Sequence, residues 1–474
     1  MTTTDIPFIH CIKTPVGLYV YDVNTNKFLT IENEELYSVL ESLEQGFVLD
    51  SLQHHLDEIK ELQEEGYLSS SHPEEMQHPM LEMLPFELNK NIKQMTLQLT
   101  QQCNFRCDYC TYKPKDFHYQ RQHTNKNMSW ETARDAVDFF LLHSIHQTEP
   151  IIGFYGGEPL LQFHLLKDIV IYAEKEFCGK SINFTVTTNG SLLNSDVASF
   201  LDEHNFSVLI SLDGPPEIHN RSRKFASNGS GTFQNIEDNL TLIKQKFPEL
   251  YKSIMFNVVV DNRFSCNDVH NHFNGGLFQD AMILSTLIED FFTMEKYCAS
   301  DQFMKELYMH QFIGLLSMIG KYSSESVSRL TLKEMRDLDD RLRRNFEHLH
   351  INKKMSHSGP CIPGQRRLFV TVDGDFMPCE RVSEASPIMK IGSIKTGIDI
   401  KAAEDLLNIV SLTPDECKNC WAIMHCTTCA KFCDNGGAFS KELKLNRCQE
   451  VKNSVEHDFR QYLLKRELSL EGDE

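Results

Sequence analysis

Six short runs of apolar or alternating residues recur through the middle of the chain: Met95 to Thr100, Ile151 to Tyr155, Ile182 to Thr187, Ser207 to Ser211, Ile254 to Val260 and Ala281 to Ser285. Each has the length of a strand. Between them, Trp130 to His143, Phe163 to Phe177, Ser195 to His204 and Phe233 to Phe247 space their apolar residues three and four apart, as helices do. Strand and helix in repeat predict parallel βα units in an α/β fold. In such units functional groups collect at the C-terminal ends of the strands.

The first part of the chain reads differently. Phe8 to Ile12, Gly17 to Asp22 and Lys27 to Glu32 predict three short strands, with Asn24-Thr-Asn26 as the turn between the second and third. Helical patterns follow at Glu34 to Leu43 and Leu49 to Glu64, and Gly66 stands as a C-cap. Ser69 to Leu88, with its run of serines, scattered prolines and mixed charge, reads as a linker. Leu287 to His357 is amphipathic, mostly helical and without a motif.

Composition sets bounds. A chain of 474 residues is long enough for two or three domains, each with its own core. The 47 basic and 67 acidic residues give a net charge of −20, which argues against a nucleic-acid surface and suits a neutral or basic peptide partner. The start has no basic, apolar targeting pattern and no apolar run reaches membrane-spanning length, so a cytoplasmic location without membrane attachment is expected. There, fifteen cysteines are metal ligands or free thiols rather than disulfides. Cys11, Cys178, Cys266 and Cys298 stand alone and read as ordinary thiols.

The other eleven cysteines carry the chemistry. Cys103-Asn-Phe-Arg-Cys107-Asp-Tyr109-Cys110 follows the first strand of the repeat and offers three thiolates where a closed site takes four. Three donors can leave a metal corner open for an external ligand. Half of a zinc ribbon, or three buried thiols, is the other reading of the same residues. Gly156-Gly157-Glu158-Pro159 ends the second strand, Thr187-Thr-Asn189-Gly follows the third, and Ser211-Leu-Asp-Gly-Pro-Pro opens a segment that reaches Arg223 after the fourth. In the last quarter, Cys361, Cys379, Cys417, Cys420, Cys426, Cys429, Cys433 and Cys448 are enough for two four-ligand sites, filled by iron–sulfur clusters or by structural zinc.

The cysteine loop, with its aromatic Tyr109, resembles the signature of radical S-adenosylmethionine (SAM) enzymes, and the later motifs stand in that family's order. The resemblance implies a partial (β/α)6 barrel in which Cys103, Cys107 and Cys110 hold a [4Fe-4S] cluster completed by SAM. Gly156, Gly157 and Glu158 are then expected at the SAM amino group, Asn189 and Ser211 at its ribose or methionine end, and Arg223 near its carboxylate. The C-terminal cysteines resemble the SPASM domain, which implies two auxiliary [4Fe-4S] clusters and three in all. By that family's arrangement Cys417, Cys420, Cys426 and Cys448 hold the outer cluster, and Cys361, Cys379, Cys429 and Cys433 the inner one. Only two residues separate Cys426 from Cys429, where the family usually has three, and Cys433 is an extra. Which of Cys429 and Cys433 binds, and whether the inner cluster keeps an open iron, stay open.

The N-terminal strands and helices resemble a winged-helix RiPP recognition element, the domain that binds the leader of a ribosomally made peptide; a structural cap on the barrel is the alternative. The implied organisation is a leader-binding domain over 1–68, a linker over 69–92, the radical SAM partial barrel over 93–286, a helical bridge over 287–357 and the SPASM domain over 358–474. Over nearly its full length the chain is similar to Cys-rich-peptide maturases that build thioether crosslinks by way of a 5′-deoxyadenosyl radical. That resemblance implies two partners: a precursor peptide with a leader and a Cys-containing core, and a flavodoxin- or ferredoxin-type electron donor. Formylglycine formation and carbon–carbon crosslinking share the same motifs, and a zinc-structured peptide-binding protein is the non-enzyme alternative.

Overall fold

The computed structural model describes residues 6–47, 49–112, 120–279, 281–289, 291 and 297–470. Strands β1 (Ile9–Lys13), β2 (Leu18–Asp22) and β3 (Lys27–Thr30) form an antiparallel sheet in the order β1-β2-β3. Its two faces separate by the two-residue period of strands. Ile9, Val20 and Ile31 pack with Leu36, Tyr37 and Leu40 of the helix Glu34–Glu44. Phe8, Ile12, Tyr19 and Tyr21 pack with Val451, Val455, Phe459 and Leu463 of the long helix Lys441–Leu470. The N-terminal sheet is thus sandwiched against the C-terminal part of the chain. The expected helix Leu49 to Glu64 is broken at His55 into a 3-10 turn, Asp50–His54, and a helix, Leu56–Glu64.

The segment expected to be a linker is ordered. Strand β4 (Glu75–Met76) is followed by the helix Leu84–Lys90, whose Leu84 and Leu88 are fully buried in the central core together with Ile92. The spacing Leu81, Leu84, Leu88, Ile92 is helical, and the serines and prolines upstream obscured it.

The centre is a parallel sheet. Strands β5 (Gln94–Thr100), β6 (Ile151–Gly156), β7 (Asn183–Thr188), β8 (Ser207–Ser211), β9 (Ile254–Val260) and β10 (Met282–Leu287) lie side by side in sequence order, each paired in parallel with the next. The helices Trp130–His143, Phe163–Glu176, Ser195–Glu203 and Phe233–Lys246 connect them. Alternation along the strands makes the two walls: Ile152, Phe154, Phe184, Val208, Ile210, Phe256 and Val258 are buried in the core. Tyr155, Thr185, Thr187, Leu209, Ser211, Asn257 and Val259 line a central cavity. Each such buried apolar side chain contributes about 1.5–3 kcal/mol.

The sheet continues where none was expected. Apart from it, β11 (Lys354–Met355) pairs with β4 as a separate two-stranded sheet, while β12 (Leu368–Val370) adds to the central sheet in parallel to β5, carrying β13 (Phe376–Met377) as an antiparallel partner. This hairpin sets Cys379 two residues beyond its end, beside the barrel. The helices Asp301–Met318 and Arg329–His348 pack on each other and on Lys441–Leu470. Among the described residues no helix is long and apolar enough to cross a membrane.

Candidate active site

β5 ends at Thr100, and the chain turns at once into the loop of Cys103, Cys107 and Cys110. The turn after β6 holds that loop down. Gly157 N donates to Thr100 O (2.8 Å) and Glu158 N to Gln102 O (2.8 Å). A Cβ on Gly157 would lie 2.1 Å from Gln102 O, and one on Gly156, at φ 152°, would lie 2.4 Å from Thr100 O. Neither position accepts a side chain. The glycines' close approach, expected toward a cofactor, is made here to the cysteine loop itself.

Glu158 is fully buried and accepts from Thr188 Oγ1 (2.7 Å), Asn189 N (2.7 Å) and Leu160 N (3.1 Å). Burial pushes its carboxyl up to about 7 despite these donors. It ties the end of β6 to the end of β7. Asn189 extends the tie, donating from Nδ2 to Asn104 Oδ1 (2.8 Å) and lying 3.9 Å from Cys103 Sγ, while its Oδ1 accepts from Ser191 N (2.9 Å).

On the other side of the loop stands an ion pair that the sequence reading missed. Arg223 donates from Nε to Asp213 Oδ2 (2.8 Å) and from Nη2 to Asp213 Oδ1 (3.1 Å), with both side chains buried. Tyr109 OH donates to Asp213 as well, and Val259 N does so at 3.2 Å. The guanidinium lies 5.3 Å from the Tyr109 ring centre, and its Nη1 is 4.0 Å from Cys107 Sγ. Arg223 therefore reaches the cysteine loop with its fork already filled by a carboxylate. The Asp of Ser-Leu-Asp-Gly-Pro was the signal for that partner. Ser211 lines the cavity at the end of β8.

The donor set fits an iron cluster. Burial pushes the Cys107 thiol up to about 12, opposed by Arg223, and raises Cys103 well above the usual thiol range. A bare thiolate is disfavoured there, so these sulfurs would give up their protons only to a bound cation.

The C-terminal cysteines divide by which sulfurs influence one another. Cys361, Cys379 and Cys429 are one group, and Cys417, Cys420, Cys426 and Cys448 another. Cys433 is fully buried and neighbours Cys429, Cys426 and Cys417, so it sits between the groups. Zn–S bonds of about 2.3 Å would bring the sulfurs of one zinc site to roughly 4 Å. Among the described residues no three of the eleven sulfurs lie within 4.8 Å of one another. Lys444, also missed in the sequence, is buried, with Nζ donating to Ile409 O (2.8 Å) and lying 3.7 Å from Cys417 Sγ.

The cavity joins the two regions. Its volume is about 960 Å³, and its lining runs from Tyr109 and Ser211 to Glu380, Arg381 and Lys431, the sequence neighbours of Cys379 and Cys429.

Comparison with known proteins agrees with this geometry. The chain is 25% identical over 260 residues to the radical SAM cyclopropyl synthase TigE of Paramaledivibacter caminithermalis, covering 53% of this chain and 49% of that one. The chain spans about half the length of the curated relatives it matches first. It is 24% identical over 371 residues to the cysteine-type anaerobic sulfatase-maturating enzyme of Clostridium perfringens, covering 75% of this chain and 93% of that one. The solved structure of native anSMEcpe with bound AdoMet and Kp18Cys peptide superposes with a TM-score of 0.56 at 21% identity, over 79% of this chain and 99% of that one, and shares the fold. Residues 97–264 match the radical SAM superfamily, so this stretch, from the cysteine loop to beyond β9, is a radical SAM domain.

Proposed function

We propose that this radical SAM enzyme, a relative of peptide and protein maturases, installs thioether crosslinks in a ribosomally made precursor peptide. The observation that carries the reading is the single cavity of about 960 Å³ between the Cys103 loop and the Cys379 and Cys429 sites. It offers one space to a peptide segment, lined at one end by Tyr109 and Thr111 of the Cys103 loop and at the other by Glu380 and Lys431, neighbours of Cys379 and Cys429. SAM and a [4Fe-4S] cluster supply the reductive cleavage that makes a carbon-centred radical. Cys103, Cys107 and Cys110 would hold the cluster, with Tyr109, Gly156, Gly157, Glu158, Asn189, Ser211 and Arg223 around the SAM site. Asp213 fixes Arg223 and Tyr109, and Glu158 fixes the turn that presses on the cysteine loop. The eight C-terminal cysteines would hold two auxiliary clusters that accept the electron released when sulfur bonds to carbon.

In this reading residues 1–68 bind the leader peptide. Among the described residues β3 has a strand neighbour on one side only, so its other edge can take an added strand, with backbone hydrogen bonds supplying affinity. A second reading, formylglycine formation, has its own support in the match that covers 93% of a cysteine-type sulfatase maturase.

Mass spectrometry of precursor peptide after strong reduction and alkylation separates the two. A thioether product is lighter by two hydrogens per ring and loses one alkylatable thiol per ring, irreversibly. Recovery of every thiol, or loss of sulfur from the peptide, would overturn the thioether reading.

A further inference from the structure

Outside the eleven cysteines, one more set of metal donors comes together. Cys266 immediately precedes the helix Asn267–His272, and His270 lies one turn on. His310 comes from the facing helix, Asp301–Met318. Among the described residues these three are the one group of Cys, His and carboxylate donors whose ligating atoms all lie within 4.8 Å of one another. Cys266 and His270 are buried and His310 is half-buried. In the sequence Cys266 reads as an ordinary thiol, because its partners His270 and His310 are a helical turn and a separate helix away.

Neighbours hold each imidazole by one nitrogen. His310 Nε2 is 2.9 Å from Asn267 Oδ1, a carbonyl oxygen that only accepts, so Nε2 carries the proton and Nδ1 keeps its lone pair. His270 Nδ1 is taken by Ser328 Oγ (2.8 Å) and Thr331 Oγ1 (3.3 Å), which leaves Nε2 as its free nitrogen. Hydrogen bonds of this kind, from the far nitrogen of each ring, are how proteins orient histidine ligands. Glu306, one turn before His310, accepts from Cys266 N (2.8 Å) and from Ser265 Oγ (2.8 Å), and so clamps the start of one helix to the other. The two rings stack with centroids 3.9 Å apart at 9°, and a nitrogen of each lies within 4.8 Å of the other and of the Cys266 sulfur.

We infer that Cys266, His270 and His310 form a mononuclear site for a borderline-soft divalent cation, of which zinc is the type, fastening the last βα unit of the barrel to the bridging helices. One thiolate and two imidazoles are a zinc donor set, and three protein ligands leave the fourth position to water or another oxygen donor. Binding turns the stacked rings apart until their lone pairs converge on the ion. His310 also lines the central cavity, so the site is reached from that side.

The test uses the full chain, purified anaerobically with its iron sites filled, loaded with Zn²⁺ and passed over a chelator. Wild type is expected to retain one more zinc per chain than Cys266→Ala or His310→Gln, at equal iron. Zinc-edge X-ray absorption should show one sulfur among nitrogen and oxygen neighbours. Asn267→Ala, which frees the His310 ring, should weaken zinc retention about ten- to a hundredfold. Equal zinc in wild type and His310→Gln, no retained zinc in wild type, or an all-sulfur shell from zinc in a vacant cluster site would each overturn the inference. Should Cys266→Ala fail to fold, the half-buried His310→Gln decides alone.

Discussion

Replacing Cys103, Cys107 and Cys110 together with Ala is expected to reduce 5′-deoxyadenosine formation to the level seen without enzyme. The three sulfurs sit on one loop at the end of β5, and that loop is fixed from outside by Gly157 and Glu158 through Thr100 O and Gln102 O. Removing the sulfurs leaves these backbone ties in place, so the barrel keeps its shape. The C-terminal cysteines lie in separate groups and should keep their iron, which leaves about eight of roughly twelve irons if each of three sites holds four. Chromatography of reaction products, with iron analysis of the same samples, checks both halves. SAM cleavage surviving in the triple variant would mean that the radical is made elsewhere.

The second large effect is at Asp213. Its carboxylate accepts both arms of the Arg223 fork, the Tyr109 hydroxyl and the Val259 amide, in a buried setting. Asp213→Ala strands a buried guanidinium, which costs about 3–5 kcal/mol of stability. It also frees Arg223 from its place 4.0 Å from Cys107 Sγ, so SAM cleavage should fall along with stability. Replacing the pair jointly, Asp213→Leu with Arg223→Met, removes both charges and should return much of the stability without returning SAM cleavage. Denaturant unfolding of the single and double variants reads the first effect, and product analysis reads the second. An Asp213→Ala protein as stable as wild type would show that the pair is solvated in solution.

The parallel core was legible because each strand carries its own two-faced pattern. Phe184 and Val186 alternate with Thr185 and Thr187 whatever lies around them, so β7 announces itself locally. Shorter elements do not. The helix Leu84–Lys90 and the β12–β13 hairpin bury their apolar residues only against distant partners, Leu88 in the barrel core and Leu368 beside Met95. The serines and prolines before the first give it the composition of a linker, and the strands of the second are only two and three residues long, although Asp373-Gly374 between apolar runs is a hairpin signal.

The candidate site divides in the same way. Thiolates and glycines are visible as spacing, and the structure brings Cys103, Asn189, Glu158 and the Gly156–Gly157 turn together. The groups that hold them were not visible, because a carboxylate or ammonium in a sequence does not declare its partner. Asp213 was passed over inside its own motif. Lys444, four residues before Cys448 on the same helix, has no sequence signal that sets it apart from a surface lysine, yet it is buried with Nζ 3.7 Å from Cys417 Sγ.

The central claim is that this chain makes radicals from SAM with iron held by its cysteines. Iron, zinc and 5′-deoxyadenosine, measured together on wild-type protein purified without oxygen and supplied with reductant and SAM, test it most directly. The account predicts about twelve irons per chain from three four-iron sites, with steady release of methionine and 5′-deoxyadenosine. Zinc in the cysteine sites with little iron, and no cleavage of SAM after iron and sulfide reconstitution, would contradict it.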